Sequence, residues 1–254
     1  MKRAIDISSY LDDILNTKNI EDYSFNGLQL ESENDIENVY CGVDASLDFF
    51  KKAKEPKNSL FITHHGIFWK DNNPSIKDSL YNKIKYLLDN NSSLYASHLP
   101  LDMHSKYGNN VSLLKFIGIK EDSFKPFGIY HGNYISYSGE FENSVEIEAI
   151  SSKLKEIASD KIYSFPFGKK SIKTVGVVSG GGSFAGAECK NKNIDLFITG
   201  EGSHELYNYA KDSQLSVIFA THYATEIFGV MNLGKLINNK FGISFTFIDF
   251  KPIF

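Results

Sequence analysis

Short apolar runs alternate with helical patterns through the first half of the chain, and several runs end in polar residues. Strands are predicted at residues 39–44, 59–65 and 94–98, and the segments between them carry apolar residues at the three- and four-residue spacing of a helix. Helical periodicity is also present at 5–17 and 111–117. Buried strands that alternate with amphipathic helices are typical of βαβ units and a parallel sheet.

The second half continues with strands and one clear amphipathic helix. An alternating strand is predicted at 133–138, a helix over 147–157, and further strands at 162–165, 174–178, 195–198, 216–220 and 243–250. Residues 118–126 form a looser segment between the halves. We therefore predict the α/β class, with an N-terminal α/β lobe over 1–122, a C-terminal α/β lobe over 123–254, and a central mixed sheet in each lobe flanked by helices.

One apolar run ends in two adjacent histidines, His64 and His65, followed by Gly66. Neighbouring side chains of a regular strand point to opposite faces, so the two imidazoles converge only where the strand ends and the backbone turns. Gly66 supplies the backbone freedom for such a turn. Two metal ions ~3.5–4 Å apart can share one strand end. The alternative is a polar strand end that faces solvent.

Other strand ends carry further candidate ligands. Asp102 follows the strand at 94–98, and His222 follows the strand at 216–220. His222 and Glu226 are four residues apart, so one helix face presents an imidazole and a carboxylate to the same point. Together with His64 and His65 these residues offer three nitrogen and two carboxylate donors, which suit zinc, iron, manganese or cobalt. A carboxylate that bridges two ions leaves positions for water, as catalytic sites require.

Composition narrows the classes of function. The formal net charge is -4, which argues against a nucleic-acid-binding protein because such proteins neutralise phosphates with Lys and Arg. Two cysteines, Cys41 and Cys189, form neither a disulfide framework nor a Cys-x-x-Cys motif. The N-terminal segment does not resemble a signal peptide, and no apolar run approaches the ~20 residues of a membrane span. We expect a cytoplasmic protein with no membrane association.

Four motifs in this order resemble the Nif-three-like family, whose members are also called GTP cyclohydrolase I type II homologues. They are Asn26-Gly27-Leu28-Gln29, Thr63-His64-His65-Gly66-Ile67-Phe68-Trp69, His98-Leu99-Pro100-Leu101-Asp102 and Thr221-His222-Tyr223-Ala224-Thr225-Glu226. The resemblance implies a dinuclear site of divalent ions (zinc, iron or manganese) in the cleft between two α/β lobes. Its ligands would be His64, His65, Asp102, His222 and Glu226, with Glu226 as the bridge.

The resemblance also implies an assembly and an activity. The assembly is a toroidal homohexamer. The activity is metal-dependent hydrolysis of a small, nucleotide-like substrate, with opening of the GTP imidazole ring by water attack at C8 as the reaction that the family label indicates. The alternative is a protein that binds metal without turnover, for metal delivery or for interaction with a partner.

Several other residues have both a chemical and a structural interpretation. Glu201 and His204 are candidates for general acid or base catalysis, against a solvated helix start. His98 resembles in its position a family histidine outside the ligand set, so we expect it to support the metal ligands by hydrogen bonding rather than only to pack. The run Gly180-Gly181-Gly182-Ser183 is interpreted as either a backbone anion cradle or a point of close packing. Trp69 is predicted to form a cleft wall or a subunit contact.

Overall fold

Helices and strands alternate along most of the chain in the computed structural model, which describes residues 2–159 and 161–250. The α-helices are α1 (Ala4–Leu15), α2 (Leu47–Lys51), α3 (Asp78–Asp89), α4 (Leu99–Met103), α5 (Asn109–Phe116), α6 (Ile147–Ala158), α7 (Glu188–Asn191), α8 (His204–Asp212), α9 (His222–Thr225) and α10 (Ile227–Phe241). The strands are β1 (Gly27–Leu30), β2 (Asn38–Asp44), β3 (Ser59–His65), β4 (Ser93–Ala96), β5 (Lys125–Tyr130), β6 (Asn133–Glu146), β7 (Tyr163–Phe165), β8 (Ser171–Val178), β9 (Leu196–Thr199), β10 (Ser216–Phe219) and β11 (Phe245–Phe247).

The chain divides into two compact units. The first unit comprises residues 2–101 and Gly229–Phe250, and the second unit comprises Asp102–Phe228. The C-terminal segment belongs to the first unit because β11 pairs in parallel with β2, with Phe245 opposite Val39. The boundary predicted between residues 122 and 123 does not coincide with this division. Pairing between strands so distant in sequence leaves no periodic signal, so the pairing of β11 with β2 could not be predicted from the sequence.

The first unit is built on a sheet of order β1-β4-β3-β2-β11. Strands β4, β3, β2 and β11 run parallel, and β1 joins antiparallel to β4. Alternate residues of β3 enter different core clusters. Leu60 and Ile62 pack with α1 and α10, whereas Phe61 packs with Phe49 and Phe50. Both faces of the sheet are therefore covered, which explains why β3 is a continuous apolar run rather than an alternating one.

The second unit is built on a sheet of order β5-β6-β8-β9-β10-β7. Strands β8, β9 and β10 are parallel, and the other pairings are antiparallel. Its core contains Leu154 of α6 with Val175 and Ile198 of the central strands. Strand β5 begins within residues 118–126, the segment that was predicted to be loose. Pro126 and Gly128 weaken its strand signal, and an edge strand tolerates both residues.

Both sheets are mixed and flanked by helices, so the predicted fold class is confirmed. Strand β3 has the predicted bounds. Among the described residues, no helix is both long enough and apolar enough to cross a lipid bilayer. In each unit, three neighbouring strands are parallel and their carboxyl ends lie at one edge of the sheet: β2, β3 and β4 in the first, β8, β9 and β10 in the second. Functional groups collect at such edges in α/β proteins.

Candidate functional site

His64 and His65 are the last two residues of β3, and their ring centroids lie 4.7 Å apart. The His64 side chain is buried, and its Nδ1 lies 2.8 Å from the carbonyl oxygen of Ser97, just after β4. A carbonyl oxygen only accepts hydrogen bonds, so Nδ1 carries the proton and donates it. The lone pair of the neutral ring is then on Nε2, which is the nitrogen able to bind a metal.

His65 is oriented in the same way by the neighbouring strand. Asp44 is the last residue of β2 and lies directly opposite His65 in the parallel register. The His65 Nδ1 lies 2.8 Å from Asp44 Oδ1. An ionised carboxylate accepts the Nδ1 proton and makes Nε2 the metal-binding nitrogen, an arrangement common around metal-ligating histidines.

His98 follows β4 and makes an equivalent contact with Asp22. Its Nδ1 lies 3.0 Å from Asp22 Oδ1 and 3.1 Å from Oδ2. The Asn26 side-chain amide and the Leu99 backbone N–H donate to the same buried carboxylate. Burial favours a raised pKa for Asp22, but the hydrogen bond and attraction of His98 outweigh it and lower the pKa to about 2. Asp22 is therefore an ionised acceptor at neutral pH.

These three histidines form one group within the first unit. One ring nitrogen of each lies within 4.8 Å of a ring nitrogen of the others, close enough for the group to hold a metal ion. The Trp69 ring borders it, with its centroid 5.1 Å from that of His98. Trp69 Nε1 donates to the carbonyl oxygen of Gly66 at 3.1 Å, which holds the indole against the turn after β3.

Gly66 serves a different purpose from the one predicted. Its φ is not positive, so the turn does not depend on glycine's backbone freedom. A Cβ at this position would lie 2.4 Å from the side-chain amide of Gln29. Gln29 Oε1 accepts from the backbone N–H of Ile67 at 2.7 Å, so the missing Cβ makes room for the side chain that fixes the turn. The prediction of a flexible turn at Gly66 was wrong, and close approach is the reason for the glycine.

Asp102 lies in α4 and is buried within a polar network of the second unit. Its Oδ1 accepts from the Asn109 side-chain amide at 2.8 Å and from the Ser179 hydroxyl at 3.1 Å. Asn110 links the same groups, since its side chain donates to the Asp102 carbonyl and accepts from the Ser179 backbone N–H. The network ties α4 and α5 to the loop after β8 and so fixes the direction of the Asp102 carboxylate.

His222 begins α9 after a strained residue. Thr221 has φ 64, which is rare for a β-branched side chain, and its hydroxyl caps the helix by accepting from Ala224 N–H. The helix ends at Thr225, and α10 begins at Ile227, so His222 and Glu226 do not share one continuous helix as predicted. The pair nevertheless meets, with Nε2 of His222 3.2 Å from Oε1 of Glu226.

The imidazole of His222 lies between two carboxylates. Its Nδ1 is 2.6 Å from Glu201 Oε1, on the loop after β9, while Nε2 faces Glu226, whose side chain is 3% exposed. Burial alone favours a lower pKa for His222. The hydrogen bonds and charges of Glu226 and then of Glu201 outweigh burial and raise the pKa to about 9. Without metal, the ring is therefore protonated at neutral pH, and metal binding at Nε2 has to release that proton.

Gly180 brings the loop after β8 against this pair. It has φ +61, and a Cβ would lie 2.2 Å from Glu226 Oε1 and 2.9 Å from His222 Nε2. The N–H groups of Gly180 and Gly182 donate to the hydroxyls of Thr225 and Thr199. These two donors are used within the protein, and Gly180 packs against the pair, so the contacts favour the close-packing interpretation at Gly180 and Gly182.

A cavity of about 870 Å³ in the second unit borders Glu201 and His222. Phe219 and the 66%-exposed Tyr163 contribute aromatic surface, and Lys161 contributes a cation. Glu201, one of the two predicted catalytic residues, lies at the wall of this cavity, and its side chain is 59% exposed. His204 is exposed in the first turn of α8, whose N-cap is Ser203. The structure thus brings Glu201 against His222 and leaves His204 at the surface.

The predicted metal ligands fall into two groups, each within one unit. His64 and His65 lie in the first, and Asp102, His222 and Glu226 lie in the second. Imidazole nitrogens and carboxylate oxygens suit divalent transition metals, and the space kept open by Gly180 beside two of these ligands fits such an ion. Sequence reasoning missed the residues that orient the ligands: Asp22, Asp44, Asn109 and Ser179. Asp44, at the end of a predicted strand, and Ser179, directly after another, had a positional signal.

Comparison with known proteins gives matches over nearly the whole chain. A family model described as Duf34/NIF3 (NGG1p interacting factor 3) matches residues 2–252. A Pyrococcus abyssi (strain GE5 / Orsay) protein named GTP cyclohydrolase 1 type 2 homolog is 43% identical over 245 residues, which are 96% of this chain and 96% of its own.

Solved structures with the same fold include two at 29% identity. One, protein ybgI, described as of unknown function, has a TM-score of 0.90 and covers 98% of this chain and 99% of its own. The other, TTHA1606 from Thermus thermophilus, has a TM-score of 0.87 and covers 99% of this chain and 100% of its own.

We expect Gly180→Ala to weaken metal binding because the new Cβ would displace Glu226 and His222. Gly242→Ala is the matched control, since Gly242 has φ +67 and open space around its Cβ position. Both variants carry the left-handed strain of ~1–2 kcal/mol. Calorimetric titration with Zn²⁺ should show ~10–100-fold weaker binding for Gly180→Ala alone. Equal affinities in the two variants would contradict this assignment.

The raised pKa of His222 predicts a pH-dependent stability of the metal-free protein. The protonated ring stabilises the native state fully below the unfolded pKa of ~6.5, and this contribution is lost as pH rises through about 9. Urea unfolding with a chelator present should therefore show a falling free energy of unfolding across that window. His222→Gln should remove this part of the slope, and an unchanged slope would count against the ion-pair geometry.

Proposed function

Because the chain belongs to the Duf34/NIF3 (NGG1p interacting factor 3) family, we propose that it binds two divalent metal ions and hydrolyses a small molecule. This membership confirms the resemblance of the four sequence motifs. The metals would be zinc, iron or manganese. The ligands are His64, His65, Asp102, His222 and Glu226.

Fixed imidazole tautomers are the observation that carries this proposal. Nδ1 of His64 faces a carbonyl oxygen, and Nδ1 of His65 and His222 each face a carboxylate. Each contact orients its ring so that Nε2 is the nitrogen left for a metal, with release of the Nε2 proton in the case of His222, and such supporting contacts are characteristic of metal-ligating histidines. His64 is fully buried, which the alternative of a polar strand end that faces solvent does not explain.

Two divalent ions, when bound, supply Lewis acidity and a water that ionises near neutral pH. The protein residues supply orientation and proton movement. Glu201 Oε1 holds the Nδ1 proton of His222, and its exposed carboxylate lines the cavity, where it can exchange a proton with a substrate. His204, as an exposed imidazole, is the second candidate proton carrier.

The cavity beside Glu201 supports a small-molecule substrate of nucleotide size. Its volume of about 870 Å³ lies in the usual range of ~300–1,000 Å³ for ligand pockets. Tyr163 and Phe219 offer surface for a planar ring, and Lys161 offers a cation for an anionic group. Relatives are named GTP cyclohydrolase 1 type 2 homolog, so GTP, hydrolysed at C8 of its imidazole ring, heads the substrates to be tested.

The metal assignment is tested by element-specific analysis of purified, metal-replete protein. We expect two ions per chain, and we expect His222→Ala and Glu226→Ala to lose bound metal because each removes a donor. His131→Asn is the control, since His131 is exposed and has φ 46, a conformation that asparagine tolerates. Full two-ion occupancy in either ligand variant would contradict the assignment.

Glu201→Gln and His204→Ala test catalysis separately from metal binding. Gln keeps an oxygen that accepts from His222 Nδ1, so both variants should retain two ions while turnover falls by ~10²–10⁴-fold. Unaffected activity in both variants would remove these residues from the mechanism.

The substrate panel consists of GTP, phosphoesters and amides. No turnover of any member by metal-replete protein would reject the enzyme and leave a protein for metal delivery or interaction. The homohexamer that the sequence resemblance implies stays a prediction, which light scattering tests.

A further inference from the structure

The cavity beside Glu201 has an exposed aromatic ring at its wall but few charges. Among the described residues that line it, Lys161 is the one lysine or arginine, and Glu201 places a carboxylate at the same wall. We propose that this cavity selects a planar heterocycle joined to a single phosphate group, with Tyr163 as the surface for the ring and Lys161 as the partner of the phosphate. This inference rests on the proposed function in taking the cavity as the substrate site, and it narrows the substrate to nucleoside monophosphates.

The ring of Tyr163 is held at the cavity wall by the sheet. Tyr163 is the first residue of β7 and lies directly opposite Phe219 of β10 in the antiparallel register. It is also more exposed than any other large hydrophobic residue of the described chain. The sheet therefore fixes the backbone of Tyr163, while its ring is accessible to a ligand. A planar ring can stack on such a surface.

The Phe219 ring, in contrast, is engaged in packing within the unit. Its centroid lies 5.6 Å from that of Phe165, which packs edge-on against Tyr207 at 5.1 Å. A Cβ at Gly202 would lie 2.4 Å from the Phe219 ring, so the loop after β9 approaches this ring closely. Tyr163 and Phe165 are two residues apart on β7 and share one face of the strand. The aromatic row of Phe165 and Phe219 thus continues into the cavity at Tyr163.

The charges at the wall fit one phosphate group better than a triphosphate. A single phosphate carries ~1.5–2 negative charges at neutral pH, which one lysine offsets in large part. A triphosphate carries more negative charge than Lys161 can offset, and the carboxylate of Glu201 repels it. His222 also lines the cavity, but its ring already lies between Glu201 and Glu226.

The test is calorimetric titration of the full-length protein with guanosine, GMP and GTP. EDTA is present, so that bound metal ions do not contribute and no metal-dependent turnover occurs. At low salt we expect GMP to bind ~3–10-fold more tightly than guanosine, because an exposed cation adds a modest, salt-dependent attraction. GTP should bind no more tightly than GMP. Tighter binding of GTP than of GMP, or equal binding of GMP and guanosine, would overturn the single-phosphate assignment.

Tyr163→Ala tests the ring surface. It should weaken guanosine and GMP alike by ~5–100-fold, because both ligands lose the same stacking partner. Tyr163→Phe keeps the ring and should bind both ligands as the wild type does. Tyr134→Ala is the matched control, since Tyr134 is also an exposed tyrosine on a strand of the second unit and does not line the cavity. Equal losses in Tyr163→Ala and Tyr134→Ala, or a loss in Tyr163→Phe, would reject the stacking role.

Lys161→Gln tests the phosphate contact. It should weaken GMP ~3–10-fold at low salt and leave guanosine unchanged, because only GMP carries the anionic group. Lys211→Gln is the control, since Lys211 is exposed in α8 and does not line the cavity. A loss of the same size for guanosine as for GMP would contradict the contact.

The monophosphate site and the proposed function can fail separately. If the wild type does not bind GMP, the site is rejected, while metal analysis and the substrate panel still decide the proposed function. If the wild type binds no metal ion but binds GMP with the pattern expected for these variants, the proposed function fails and the site is supported.

Discussion

A neutral histidine binds a metal through Nε2 when its proton is on Nδ1, and an acceptor for that proton fixes the orientation of the ring. Four histidines at or just after strand ends meet this requirement through an oxygen acceptor on a neighbouring segment. The acceptors differ in charge, from a neutral carbonyl to carboxylates that range from buried to exposed. The pairs are His64 with Ser97, His65 with Asp44, His98 with Asp22, and His222 with Glu201.

The parallel sheets supply these acceptors through their register. Asp44 reaches His65 because the two residues are directly opposite in adjacent strands, and Ser97 reaches His64 because β4 ends beside β3. A shift of one residue in the pairing of β2 with β3 would turn every side chain of one strand to the other face. The apolar residues of β3 prevent that shift, since they are buried on both faces of the sheet. Core packing and site chemistry thus depend on the same register.

The sequence was informative where a polar side chain directly follows a run of apolar residues. Strand β3 and the polar ends of β3 and β10 were predicted because an apolar run stops at His64 and at Thr221. The orienting residues carry no such signal. Asp22 lies in a loop and meets His98 76 residues away, and Asn109 begins a helix whose pattern reflects packing alone. Their roles follow from tertiary contacts, as does the return of β11 to the first unit.

The histidines of the two units lie beside acceptors of different charge. In the first unit, Nδ1 of His64 donates to a neutral carbonyl oxygen. In the second unit, His222 lies between Glu201 and the almost fully buried Glu226, which together hold a proton on it well above neutral pH. The imidazolium pairs with the buried Glu226 carboxylate through Nε2, whereas the Glu201 side chain at Nδ1 is 59% exposed. A divalent ion in place of that proton would balance both carboxylates. Metal binding at Nε2 of His222 therefore has to displace a proton that two carboxylates hold, whereas Nδ1 of His64 faces no such charge at its carbonyl acceptor.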